Sequence, residues 1–155
     1  RHLLTEYLPM KLSTRSRYGT RLILDMAQNY GKGPIQLGEI ARRQAISLKY
    51  LEQIIRPLKR AGYIQSFRGS KGGHILARPA EKITVGEIVA LLEGGAFLTG
   101  CSRNSEHCER IKECVTRYVW MEASQAMFSR LNQITFADLL KSGVSAEKEE
   151  CGRNP

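Results

Sequence analysis

Three of the four cysteines fall within fourteen residues: Cys101, Cys108 and Cys114, with six residues between the first pair and five between the second. Gly94, Gly95 and Gly100 precede them, and Asn104 and Ser105 lie among them, so the stretch reads as a loop. A loop can wrap three thiolates around one soft centre, because sulfur ligands select Zn, Cu(I) or iron–sulfur groups. The spacing matches neither the paired C-x2-C units of zinc ribbons nor the common ferredoxin runs. Three plain thiols, or two that close a redox disulfide, suit the same spacing. Cys151 stands apart in a polar tail and reads as a bystander.

The cysteines follow a segment with a different chemistry. The net charge of +9 is unevenly distributed. Residues 10–78 carry fourteen Lys/Arg against three acids (Asp25, Glu39, Glu52), whereas residues 79–155 carry nine against eleven. The first half is therefore built to meet a polyanion. No basic amphipathic helix with a wide apolar face stands out for a membrane surface.

The elements that would carry this charge can be read in order. Ser13 or Thr14 can cap a helix over 15–28, with Tyr18, Leu22, Ile23 and Met26 at helical spacing. The glycines and proline of 31–34 break the chain. A short helix over 37–44 is followed by a three-residue turn, with Ser47 as the cap of a helix over 48–61. That helix places Leu48, Leu51, Ile54, Ile55 and Leu58 on one face, with Lys49, Glu52, Gln53 and Arg56 on the other. Pro57 should kink or weaken it, and Gly62 should end it. Two helices joined by a tight turn, the second with polar residues outward, form the helix-turn-helix pattern; a hairpin used only for packing has the same outline.

Two β-type runs, 63–68 and 74–78, flank Gly69-Ser-Lys-Gly-Gly73 and predict a hairpin with Arg68 and Lys71 at its tip. After a reading helix such a hairpin is a wing, and its glycines permit positive φ and close approach to a sugar-phosphate rail. A nucleotide P-loop is rejected because no G-x-x-x-x-G-K-[ST] occurs. Thr84 to Glu87 has the spacing of a capping box opening a helix to about Leu92.

Beyond the cysteines, residues 115–133 give a long helix with Val119, Trp120, Ala123, Met127, Phe128 and Leu131. That apolar length exceeds what one small domain needs, so it reads as a helix for pairing two chains, and 135–140 as a short capped helix docking nearby. The organisation expected is an extension (1–9), a winged helix-turn-helix DNA-binding domain (10–93), a cysteine-rich loop (94–114), a dimerisation helix with a docking helix (115–140) and a disordered tail (141–155). The fold class is mainly α with a small β-hairpin wing. No apolar run is long enough to span a membrane, and residues 1–9 lack the apolar region of a secretory signal, so the cytoplasm is the expected compartment. There, clustered cysteines are ligands or sensors more often than staples.

Several stretches in the same order resemble the Rrf-two family of bacterial winged-helix regulators, especially its IscR-like and NsrR-like iron–sulfur repressors. They are Met10-Lys-Leu-Ser-Thr-Arg-Ser-Arg-Tyr18, Ile46-Ser-Leu-Lys-Tyr-Leu-Glu-Gln53, Arg68-Gly-Ser-Lys-Gly-Gly73, Ile83-Thr-Val-Gly-Glu-Ile88, the three cysteines, and Leu131-Asn-Gln-Ile-Thr-Phe-Ala-Asp-Leu139. The resemblance implies a homodimeric transcriptional regulator whose DNA affinity depends on a [2Fe–2S] or [4Fe–4S] cluster held by Cys101, Cys108 and Cys114. IscR-like members take a fourth ligand from a histidine three residues after the third cysteine, where this chain has Arg117. NsrR-like members use an acidic residue near the amino terminus, where it has Arg17. The fourth ligand stays open, with Glu106, Glu109, a solvent-derived ligand or a small thiol as candidates.

On this reading Ser47, Lys49, Tyr50, Glu52 and Gln53 meet the major groove of double-stranded DNA, Arg56 belongs to the same DNA-binding set, and Arg68, Gly69, Lys71, Gly72 and Gly73 meet the backbone or minor groove. A cluster-free regulator that senses through its thiols or a partner protein is the alternative. An iron–sulfur electron carrier is a rival of another class, opposed by the basic half. No catalytic constellation is present, so an enzyme is not expected.

Overall fold

The computed structural model describes residues 12–100 and 110–143. Cys101, Cys108, Cys151, the extension and the residues beyond 143 lie outside the described residues. Helix α1 (Thr14–Gln28) opens where the Ser13 side chain accepts the N–H of Ser16 at 3.1 Å, so Ser13 rather than Thr14 is the cap. Helix α2 (Leu37–Gln44) ends at Ala45, the one non-glycine residue with positive φ among the described residues. Helix α3 (Leu48–Arg60) opens on Ser47, whose hydroxyl accepts the N–H of Tyr50 at 3.2 Å. It runs unbroken through Pro57. Pro57 cannot donate the usual bond to the carbonyl of Gln53, but Gln53 is exposed, so water can take that place. Leu48 is 44% exposed rather than inward, because it occupies the first position of the helix beside its cap.

Strands β1 (Ile64–Phe67) and β2 (Gly73–Leu76) form an antiparallel hairpin, shorter than the runs read from sequence, in the register Ile64↔Leu76 to Phe67↔Gly73. A third segment joins its edge: Ile35 exchanges both backbone hydrogen bonds with His74, at 2.9 and 2.8 Å. The hairpin is thereby held to the turn before α2. After a 3-10 turn (Ala80–Lys82), α4 (Val85–Glu93) carries the full capping box. Glu87 accepts the Thr84 N–H at 2.8 Å, and Thr84 Oγ1 accepts the Glu87 N–H at 3.2 Å.

Helix α5 (Val115–Asn132) packs its second half on α4, and α6 (Phe136–Gly143) returns to α1. The core is one cluster. Leu22, Ile23 and Met26 from α1, Leu51, Ile54 and Leu58 from α3, and Ile88 and Leu92 from α4 meet around Phe136, which is fully buried. Burying each side chain of this size is worth roughly 1.5–3 kcal/mol. Backbone bonds from Val85 N–H to Ile134 O (2.9 Å) and from Phe136 N–H to Ile83 O (3.0 Å) fix α6 in place. The docking helix is thus part of the winged domain's core.

Candidate nucleic-acid interface

The outer face of α3 presents Ser47, Lys49, Glu52, Gln53 and Arg56, all exposed. Inward residues at Leu51, Ile54, Ile55 and Leu58 press the opposite face into the core, and this sets which side chains point out. Tyr50 is half-buried, its ring meeting Tyr18 of α1 edge-on at 5.8 Å between centroids. Arg56 lines one open depression with Lys59 and Arg60, two cations that sequence reasoning did not single out. The signal for them was present: i+3 and i+4 from Arg56 share its face.

At the wing, Arg68, Gly69 and Lys71 stand exposed at the tip. Gly72 and Gly73 do not. Both are buried, and a Cβ on Gly73 would lie 2.6 Å from the carbonyl oxygen of Ile35, while one on Gly72 would run into the carbonyl of Phe67. The hairpin's own packing requires glycine at these two positions. Burial holds His74 below its ordinary range, with the charge of Lys59 adding to the effect, and Ser66 Oγ lies 2.8 Å from its Nδ1. The surroundings of the wing base therefore disfavour a charged imidazole.

A polar network braces the turn between α2 and α3. Asp25 of α1 is 2% exposed, and its carboxylate accepts Arg43 Nε at 3.0 Å, Arg43 Nη2 at 2.6 Å and Gln44 Nε2 at 2.9 Å. Arg21 donates to Gln44 Oε1 at 3.1 Å and to the Gln44 carbonyl, and its guanidinium lies over the Tyr18 ring at 5.5 Å.

Of the cysteine set, Cys114 is described. It is partly exposed at the N-cap of α5. The Thr116 hydroxyl, the Arg117 N–H and the charge of Arg110 hold its thiol below the usual range, favouring the thiolate. The segment leading toward Cys101 is tied down on both sides. Glu93 Oε1 accepts the Ser13 N–H at 2.9 Å and the Ser16 hydroxyl at 2.5 Å, and Ser124 Oγ accepts the Leu98 N–H at 3.0 Å. The first half of α5 leaves Val115 (77% exposed), Tyr118, Val119, Trp120 and Met121 uncovered. Among the described residues no helix is long and apolar enough to cross a membrane.

Comparison with known proteins agrees with this geometry. The family model Rrf2, described as an iron-dependent transcriptional regulator, matches residues 12–142. The protein rrf2 of Nitratidesulfovibrio vulgaris is 45% identical over 146 residues, covering 94% of this chain and 97% of its own. Among solved structures, IscR of T. potens aligns with a TM-score of 0.72 at 38% identity, covering 90% of this chain and 93% of that one. CymR, the global cysteine regulator of B. subtilis, aligns at 0.69 and 34% identity, covering 85% and 97%. With its winged helix-turn-helix and matches spanning nearly the whole chain, the protein belongs to the Rrf2 family of DNA-binding transcriptional regulators.

Proposed function

We propose that the chain is the protomer of a cytoplasmic homodimeric repressor that reads a two-part DNA site and whose hold on that site is set by an iron–sulfur cluster on Cys101, Cys108 and Cys114. One observation carries this reading. Cys114, its thiol held below its ordinary pKa range, caps the helix whose apolar first half is uncovered, so a ligand at that thiol would adjoin the face a second copy would cover. The donor chemistry fits, since thiolates are the ligands such clusters take. When bound, the cluster supplies a one-electron redox group.

The chain's own residues do the rest. Glu52 can accept from cytosine N4 and Gln53 can pair with adenine, while Arg56, Arg68 and Lys71 meet phosphates. Gly69 lets the wing tip approach closely, and Gly72 and Gly73 shape the loop behind it. Ser124 and Glu93 anchor the two ends of the segment before Cys101, so ordering the loop fixes α5 against the winged domain. Two reading heads then face half-sites separated by about 34 Å, one helical turn, or a multiple of it. Repression follows from occupancy alone.

A cluster-free thiol regulator is the second reading, favoured by the likeness to the B. subtilis cysteine regulator. Anaerobic purification followed by absorption spectroscopy and iron and sulfide analysis separates the two. Cluster-bound and apo protein should differ in affinity for a selected duplex by about 5- to 150-fold, the usual size of coupling between two sites. Each of Cys101→Ala, Cys108→Ala and Cys114→Ala should lose the coloured centre, and Cys151→Ala should keep it. Equal affinity of both forms would refute cluster control. A monomer at micromolar concentration for which one half-site suffices would refute the dimer.

A further inference from the structure

Tyr50 sits at the third position of α3, where the reading helix enters the groove, yet its ring is controlled from another helix. Its backbone is pinned by the Ser47 cap, and its ring meets Tyr18 of α1 at right angles. Arg21 also meets the Tyr18 ring, its guanidinium standing 5.5 Å from the centroid. Arg21 is not merely resting there. Its forked donors grip Gln44 twice, at the side-chain oxygen and at the main-chain carbonyl.

That carbonyl belongs to the residue before Ala45, which holds φ at +52° without being glycine. A left-handed conformation at such a residue persists only where its surroundings impose it. Three constraints impose it here. The Ile46 N–H bonds the Ala41 carbonyl at 3.0 Å, the side chain of Ile46 is buried, and Arg21 clamps the peptide immediately upstream. The far side of Gln44 is held in turn by the buried carboxylate of Asp25. A connected set therefore runs from Asp25 through Gln44 and Arg21 to Tyr18 and Tyr50. It sets both the angle of the turn that delivers α3 and the pose of the first aromatic on that helix.

The geometry points to Tyr18 and Arg21 of α1 as positioning residues for sequence discrimination, acting on DNA through Tyr50 and the α2–α3 turn. A cation–π contact and an edge-on aromatic pair fix orientation as well as adding affinity. Their loss frees the Tyr50 ring to sample rotamers and so blurs base preference. Lost phosphate attraction would instead weaken all sequences alike. This inference rests on the proposed reading role of Tyr50.

The test uses the full chain and a pool of randomised DNA duplexes, selected and sequenced, followed by titration of preferred and scrambled duplexes at several salt concentrations. Tyr18→Leu should reduce discrimination about twofold to tenfold, the worth of an aromatic pair, at the same base positions that Tyr50→Leu affects. The salt slope should be unchanged, and the double variant should be no worse than Tyr50→Leu. Tyr18→Phe, which keeps the ring, should restore the preference. Arg21 is exposed, so Arg21→Lys keeps the fold and the charge while losing the two-point grip; it should blur preference at constant salt slope. A uniform loss across sequences, additivity with Tyr50→Leu, or unchanged preference in both Tyr18→Leu and Arg21→Lys would overturn the inference. If Tyr50→Leu itself alters no base position, the reading role fails and takes the inference with it.

Discussion

Replacing Asp25 by alanine tests what holds the helix-turn-helix to α1. Its carboxylate is buried and accepts three hydrogen bonds, two from Arg43 and one from Gln44. Breaking a fully buried ion pair costs about 3–5 kcal/mol, because one charge is stranded without a partner. Here the stranded group is Arg43, whose side chain is 40% exposed and can turn to water or to Glu39, 3.9 Å away. That relief places Asp25→Ala below the buried-pair range, at about 2–3 kcal/mol, the scale of one or two charge-assisted bonds. Asp25→Asn should recover little, since its amide N–H2 would face donors. Urea unfolding at fixed protein concentration measures both, and for a chain of this size each kcal/mol shifts Tm by roughly 2–4 °C. A loss below about 1 kcal/mol for Asp25→Ala, or an Asp25→Asn variant as stable as the parent, would refute the reasoning that charge at this site organises the turn.

Phe136→Ala removes a fully buried ring shared by α6 and the winged core; it should cost about 3–5 kcal/mol and lower a single unfolding transition, not a separate one for residues beyond 115. Glu52→Ala should relax base preference by about 1–3 kcal/mol, whereas Lys71→Ala should weaken all sequences and flatten the salt slope by about 0.9 per lost phosphate contact, both read by titration on matched and scrambled sites. Burial pushes the Glu93 carboxyl up, but the hydrogen bonds from Ser16 and Ser13 together outweigh it and hold it below its ordinary 4.5. A depressed carboxyl contributes stability that is fully present above its unfolded value and lost as pH falls through the folded one. Wild type should therefore exceed Glu93→Gln in stability near neutral pH, and the gap should close as pH drops below 4.5.

Where sequence and structure coincide, the signal was local. The bounds of α2, the Ser47 cap and the Thr84–Glu87 box each depend on residues three or four apart, and all three hold. Where they differ, the cause lies far along the chain. Ile35 joins the wing through two backbone bonds to His74, and no periodicity marks a single paired residue. Phe136 lies in a segment that reads as a peripheral docking helix because a loop and a long helix separate it from the core it completes. Gly72 and Gly73 read locally as the glycines of a wing tip, and the packing that demands them, against Phe67 and Ile35, is formed by residues the local pattern does not mark.

The same distinction governs the basic half. Its excess of cations identifies the partner as a polyanion, yet a count treats every cation alike. The fold sorts them by where their donors go. Arg43 is committed to Asp25, Arg21 to Gln44, and Arg78 lies over the Tyr63 ring at 4.8 Å. These three shape the reader. Lys49, Arg56, Lys59 and Arg60 on α3, with Arg68 and Lys71 at the wing tip, stand exposed to solvent instead. Arginine suits the first task because its planar fork holds two acceptors at once, whereas the exposed set mixes arginine with lysine. The division explains why one stretch of sequence can be both strongly basic and internally well ordered: some guanidinium groups brace the turn between α2 and α3 while other cations stay exposed.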